Sequence, residues 1–309
     1  MKFGVNVPNY GGDASPRTLA LWAERLEDLG YHHLMLSDHV AITPEVQQLF
    51  PAPFYDPFTA LAWLAGTTRH IGLGTTVAIL PYRHPVHLAR VIANIDQLSG
   101  GRFVFGAAAG WAPREFAVMN ASYRRRGEVS DEYLEVIRAC WSGSTASYDG
   151  RHVSFRQVAT EPLPVRRADG RTAPPVWVGG HSAGAMRRAV RLGDAWHPTS
   201  VTGGWLTGVG LPTLKRIAEE HGRPVPALCP RIKLRITDGD MGRYRVLGEG
   251  SLDQIRHDLE LLERLGAQSV VLDPTYPGEA RGRARTDADL KALEILSERV
   301  VDLEQQSLR

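Results

Sequence analysis

The chain has 309 residues, enough for one large domain or two ordinary ones. Its 36 Lys and Arg stand against 34 Asp and Glu, a formal charge of +2, and no basic block stands out, which argues against nucleic-acid binding as the main role. The two cysteines, Cys140 and Cys229, have neither metal-site spacing nor the density of a disulfide framework, and no window approaches the ~20 consecutive apolar residues of a membrane span. The expectation is a soluble cytoplasmic protein with reduced core thiols. Arg124-Arg125-Arg126, the densest basic run, reads as a solvated loop or helix face.

Phe3 to Val7 alternates apolar residues with Gly4 and Asn6 and stops at Pro8, the pattern of a first strand and not of a signal peptide. Ser15 and Pro16 start a helix with a capping hydroxyl and proline at the first helical position. Leu19, Trp22, Leu26 and Leu29 continue it, and Gly30 closes it. Leu34-Met35-Leu36 then forms a short strand that ends in Ser37-Asp38-His39. A long loop, Ala41 to Tyr55, precedes a second cap-and-proline start at Asp56-Pro57.

Ile71 to Leu80 predicts a third strand, followed by a helix from Pro85 to Leu98. A fourth strand begins at Arg102 and runs into the small residues Ala107-Ala108-Ala109-Gly110, which leave room for something large beside the backbone. After a helix to Trp141, Tyr148 to Arg151 reads as a hairpin turn, and Gln157 to Pro175 as an insertion loop within the wider 145–175 region. Val176 to Gly180, Asp194 to His197, Arg231 to Ile236 and Ser269 to Leu272 supply four more strands with helices between them. Ser251 and Gln254 form a capping box, and the last helix spans Thr286 to Leu303.

Eight strand–helix units with no composition break predict a single (β/α)8 TIM barrel over residues 1–309. An open doubly wound sheet would lose two units and would need a phosphate fingerprint at the first turn, which Asn9-Tyr10-Gly11-Gly12 is not.

In such a barrel the strand ends share one face, where ligands collect. That face gathers Asn6, Asp38, His39, Thr76 to Leu80, Ala108 to Trp111, Gly179-Gly180 and Trp196-His197. The set is rich in aromatics and poor in charge. It lacks a metal-ligand cluster, an activated Ser or Cys, and paired carboxylates. A wide apolar slot with one imidazole suits a flat conjugated cofactor that brings its own reactivity. Asp38 is also the kind of residue that merely turns a chain. Gly179-Gly180-His181-Ser182 reads equally as a plain turn with a helix cap or as a phosphate-holding turn.

The runs Leu36-Ser37-Asp38-His39-Val40, Tyr55-Asp56-Pro57-Phe58, Leu80-Pro81-Tyr82-Arg83-His84-Pro85, Leu98-Ser99-Gly100-Gly101-Arg102, Gly110-Trp111 with Glu115-Phe116, and Gly193-Asp194-Ala195-Trp196 resemble the luciferase-like monooxygenase family. More narrowly they resemble its branch that uses the deazaflavin coenzyme F420. The resemblance runs from Phe3 to about Leu272. It implies a bacterial-luciferase-like barrel, a flavin-type ring at the strand ends, and a bulge, often a non-proline cis peptide, near Thr76-Val77-Ala78.

Carried across residue by residue, it implies His39 as the catalytic histidine and Asp38 as a contact of the ring. Thr76, Val77 and Ala78 would pack behind the ring, and Ala109 and Gly110 under the tail. Gly179, Gly180, Ser182 and Ala183 would hold the phosphate. Trp111 stands where the sugar-phosphate dehydrogenases of the branch carry a catalytic glutamate, and their lysine and arginine clamp has no counterpart, so a sugar phosphate is not the expected substrate. Trp111, Trp196 and His197 are placed in the substrate space. The expected function is hydride transfer between F420 and a small organic substrate, with a homodimer implied by the resemblance. The alternatives are an FMN-dependent monooxygenase using dioxygen and a non-catalytic flavin-binding member.

Overall fold

A computed structural model describes residues 1–167, 170–276 and 282–309; residues 168–169 of the expected insertion loop lie outside it. Eight parallel strands make a barrel: Lys2–Val7, His33–Leu36, Gly72–Thr75, Phe103–Ala108, Val176–Gly179, Ala195–His197, Arg231–Lys233 and Ser269–Asp273. The first six pair in chain order, while the first also pairs with the eighth and the eighth with the seventh. Closure comes from the segment 227–233. Ala227–Leu228 runs parallel to the sixth strand and Thr199 bridges to Arg231, so one stretch of chain touches both neighbours. The predicted (β/α)8 TIM barrel is the fold.

Local chemistry sets the helices around it. Ser15 accepts the Thr18 N–H and Gly30 takes the left-handed conformation at φ 86°, which bound Pro16–Leu29 as the sequence suggests. Asp56 caps Pro57–Thr67 by accepting the Thr59 N–H, and Ser251 and Gln254 close the expected capping box. The apolar faces of these helices pack on the outside of the barrel. The interior is filled by Met35, Val104, Trp177, Ala195, Cys229 and Val271. Both cysteines are buried free thiols, and no helix among the described residues is long and apolar enough to cross a membrane.

Several elements differ from their expected extents, among them the last helix, which runs from Arg283 to Arg299 and not from Thr286 to Leu303, with Val301–Asp302 beyond it a strand. The strand predicted from Ile71 to Leu80 stops at Thr75, just before a cis Thr76–Val77 peptide. Ala78–Ile79 then rejoins the sheet beside Ala107 and Ala108. Gly106 allows the close approach here: a Cβ on it would stand 1.9 Å from the Thr75 carbonyl oxygen. The seventh strand ends at Lys233, and Arg235–Ile236 leaves the barrel to pair with Glu249–Gly250. The insertion begins as an antiparallel hairpin of Thr145–Asp149 and Ser154–Ala159, so Gln157 to Ala159 is strand and not loop.

Candidate active site

At the C-terminal ends of the strands lies a cavity of about 580 Å³, within the usual range for a small-molecule site. Asp38 and His39 leave the second strand into its wall, and both are buried. Arg83 grips the Asp38 carboxylate with two bonds, Nη1 to Oδ2 at 2.7 Å and Nη2 to Oδ1 at 2.9 Å, and the Ile79 N–H adds a third at 2.8 Å. Arg83 also holds Asp56, the cap of the neighbouring helix, at 2.9 Å. Asp38 is thus a neutralised, fixed part of the wall.

His39 has a partner of its own. Glu115, in the first turn of the short helix Pro113–Val118, is fully buried, and its Oε2 accepts from His39 Nδ1 at 2.6 Å and from the Tyr82 hydroxyl at 3.2 Å. Its Oε1 accepts the Val40 and Ala41 N–H groups at 2.7 and 3.1 Å, which fixes the backbone just beyond the histidine. Burial alone would raise the Glu115 pKa. The His39 hydrogen bond and charge, with the two amides, outweigh it and hold the carboxyl below its ordinary value. With Nδ1 committed to this carboxylate, Nε2 is the ring nitrogen left for the cavity. Phe50, Phe54 and Trp111 enclose the imidazole, with ring centroids 4.7, 5.9 and 5.7 Å away.

The far side of the cavity holds a second polar group. His197 Nδ1 donates to the Cys229 carbonyl, so Nε2 accepts the Thr76 hydroxyl at 2.8 Å. Burial pulls the His197 pKa down to about 4, so the ring is neutral at pH 7. Arg231 donates to the Thr76 carbonyl at 2.6 Å and to the Thr199 hydroxyl at 3.0 Å. Beneath it, buried Asp273 takes Lys233 at 3.0 Å, Asn6 at 3.1 Å and the Thr275 hydroxyl at 2.6 Å. Burial pushes the Asp273 carboxyl up, but Arg231 and Lys233 more than reverse this and hold it low.

The third wall is cationic. Arg124, Arg126 and Arg188 line it beside Gly180, His181 and Ser182. Arg188 is paired with Asp131 at 2.6 Å, whereas Arg124 and Arg126 have no carboxylate partner among the described residues. Ser182 caps the helix Ala183–Leu192 by accepting the Ala185 N–H. The run Arg124-Arg125-Arg126 is therefore more than the solvated face the sequence suggested. Arg125 alone turns outward, to Glu128, while its neighbours face the cavity.

Of the residues singled out in the sequence, Asp38, His39, Thr76, Val77, Ala109, Gly110, Trp111, Gly179, Gly180, Ser182 and His197 meet on this cavity. Three do not. Ala78 is buried in the sheet where the chain rejoins the fourth strand, and Ala183 is the first residue of the helix behind Ser182. Trp196 is fully buried in the core with its indole N–H on the Gly180 carbonyl, because it alternates with His197 on its strand and so faces away. The expectation of a mouth poor in charge is also overturned by Arg83, Glu115, Arg231 and the arginine wall. Tyr82, Arg83 and Glu115 lie inside runs that carry the family resemblance, although the sequence assigns them no role. The signal available was a charged residue inside an otherwise recognisable run. Among the described residues no group of His, Cys, Asp and Glu could hold a metal ion.

The strand ends of the closed parallel barrel thus bring together a cavity, a cationic wall and a histidine–carboxylate pair. Residues 1–293 match the luciferase-like monooxygenase family, and the chain belongs to that family. It is 25% identical over 224 residues to an uncharacterized protein of Mycobacterium tuberculosis, covering 66% of this chain and 72% of that one. It is 30% identical over 141 residues to the alkanal monooxygenase alpha chain of Photorhabdus luminescens, covering 45% and 37%. Among solved structures, monooxygenase RslO1 from Streptomyces bottropensis superposes with a TM-score of 0.76 at 21% identity, over 96% of this chain and 98% of that one. The coenzyme F420 dependent tetrahydromethanopterin reductase from Methanopyrus kandleri superposes with 0.75 at 17% identity, over 96% and 97%. At these identities the superpositions speak to the fold alone.

Proposed function

We propose that the protein is an oxidoreductase that moves a hydride between coenzyme F420 and a small organic substrate. The carrying observation is the His39–Glu115 pair, bonded at 2.6 Å and buried beside the cavity. The cavity's form fits a flat ring with an anionic tail. Val77 and Gly179 form a smooth wall, and a Cβ on Gly179 would fill it, standing 3.2 Å from Val77 Cγ1. Arg124, Arg126, Gly180 and Ser182 offer a cationic, hydrogen-bonding end for phosphate. Thr76, Val77, Asp38, Ala109 and Gly110 would hold the ring region.

A bound deazaflavin supplies hydride transfer to or from a substrate carbon. The protein then has to manage the matching proton. His39 Nε2 can take a hydroxyl proton as an alcohol becomes a carbonyl, or return it in the reverse direction, while Glu115 stabilises the imidazolium through Nδ1. The aromatic enclosure of Phe50 and Trp111 keeps water from the imidazole. Support for F420 over FMN comes from the sequence runs that resemble the F420 branch. Solved neighbours are of both kinds: one is described as an F420-dependent secondary alcohol dehydrogenase in complex with an F420-acetone adduct, and another, a Type II Baeyer-Villiger monooxygenase, is in complex with FMN.

The test is titration of the protein with F420 and with FMN, each oxidised and reduced. F420 should bind, and FMN should bind at least about tenfold more weakly, roughly 1.4 kcal/mol. Equal or tighter binding of FMN would replace this reading with an FMN-dependent monooxygenase.

A further inference from the structure

The barrel has a second opening, at the opposite end from the candidate active site. A cavity of about 640 Å³ lies at the N-terminal ends of the strands, where Lys2, His33, Val104, Trp177, Ala195 and Ser269 stand at or near the start of six of them. That end of such a barrel ordinarily serves stability, yet here it is indented by a solvent-open cavity.

The charges around it are unbalanced. Lys2 and Arg223 reach the cavity with no ion pair or side-chain hydrogen bond among the described residues. The carboxylate on the same wall, Asp194, is already engaged. It accepts the Val176 N–H at 2.7 Å and pairs with Arg138 at 3.3 Å. His33 adds a donor. Its Nδ1 is buried with no hydrogen-bond partner, pressed so closely on Gly72 that a Cβ there would stand 2.5 Å away. A buried Nδ1 with no acceptor leaves the proton on Nε2 of a ring that lines the cavity. Burial, then the charges of Lys2 and His32, lower the His33 pKa to about 3, so this donor is a neutral imidazole. Trp177, edge-on to His33 at 5.7 Å, and Val104 make an apolar wall.

We infer that this lower cavity is a second small-molecule site, which takes an organic anion: a carboxylate or phosphate monoester on a flat apolar body. Lys2 and Arg223 attract the anionic group, the His33 Nε2–H is an available donor, and Trp177 and Val104 pack against the body. Unpaired cations at the rim of an open cavity with one apolar wall favour such a ligand over a neutral or cationic one. The site is independent of the reaction proposed above.

Calorimetric titration with benzoate, phenyl phosphate and neutral benzyl alcohol tests it. Three proteins are compared: the wild type, the Lys2→Ala/Arg223→Ala double variant, and Arg124→Ala, which removes a cation from the upper cavity. Lys2 and Arg223 are exposed, so the double variant should fold, which circular dichroism checks. At least one anion should bind the wild type and the Arg124→Ala variant alike, bind the double variant about tenfold or more weakly, and outcompete benzyl alcohol. Benzoate against phenyl phosphate distinguishes the two anionic groups. Absence of binding by both anions would overturn the inference, as would finding, for every anion that binds, equal binding to the double variant, loss of binding on Arg124→Ala, or benzyl alcohol binding as tightly.

Discussion

Glu115 holds His39 by one carboxylate oxygen and the two residues after His39 by the other, so a single buried acid fixes both the ring and the backbone that carries it. The pairing also selects a tautomer. A carboxylate at Nδ1 keeps the proton there and leaves Nε2 as a base.

Glu115→Gln tests that selection. The glutamine carbonyl can still accept the Val40 and Ala41 amides, but its NH₂ would then face His39 Nδ1. The ring would answer by moving its proton to Nε2, which could no longer accept one. The expected result is a fall in kcat of about 10²–10⁴, with cofactor affinity close to wild type and the acidic limb of the pH–rate profile displaced. A purely structural Glu115 would instead lower the melting temperature and leave kcat of the folded fraction unchanged.

How much of this was legible beforehand follows from the range of each interaction. The barrel was readable because its signals are local: apolar strands, capping residues such as Ser15 and Ser251, and the glycine at 30. His39 was readable as a polar residue at a strand end. Its partner was not, since Glu115 lies 76 residues away and pairing across that distance leaves no mark in spacing. The same holds for Asp38 with Arg83 and for Arg231 with Thr76, where three-dimensional closure brings the groups together. Trp196 was misplaced for a different reason. Two adjacent residues at a strand end face opposite ways, and the sequence alone does not say which faces in.

The two tryptophans assigned to substrate space should therefore separate cleanly. Trp111 is 41% exposed at the cavity edge and packs edge-on against His39. Trp111→Ala should raise KM or change the substrate range, with a small change in melting temperature. Trp196 is fully buried, and Trp196→Phe, which keeps much of the volume, should spare KM while lowering stability; full truncation to Ala costs about 3–5 kcal/mol at such sites. Chemical denaturation of both variants decides it, and equal losses of stability would put Trp111 in the core as well.

Stability should fall on acidification before the carboxylates titrate. His197 has a pKa near 6.5 when unfolded and is pulled by burial to about 4 in the native protein. Between those values the unfolded chain binds a proton that the native state refuses, so stability falls as pH drops through this window, by on the order of 3 kcal/mol in all. His33, lowered to about 3, acts in the same direction. Above pH 6.5 neither contributes a slope. Urea denaturation midpoints measured from pH 7.5 to pH 4.5 should decline below about pH 6.5, and replacing His197 with glutamine should flatten part of that decline. A midpoint constant down to pH 5 would contradict the buried, neutral His197.

The role of His39 itself is open to a sharper test than loss of activity. Its Nδ1 is fixed on Glu115, its ring is enclosed by Phe50, Phe54 and Trp111, and it stands 5% exposed on the cavity wall. If Nε2 exchanges the proton that accompanies hydride transfer, His39→Ala should lower kcat by about 10²–10⁴ at saturating cofactor, with cofactor binding little changed. A small exogenous base such as imidazole, diffusing into the space left behind, should restore part of the lost rate in proportion to its concentration. If His39 only positions the cofactor, the variant should bind it more weakly and recover the wild-type rate once saturated, with no response to added imidazole. Wild-type kcat and wild-type affinity together would remove His39 from the chemistry and leave the Glu115 pairing as a brace for the loop at Val40 and Ala41.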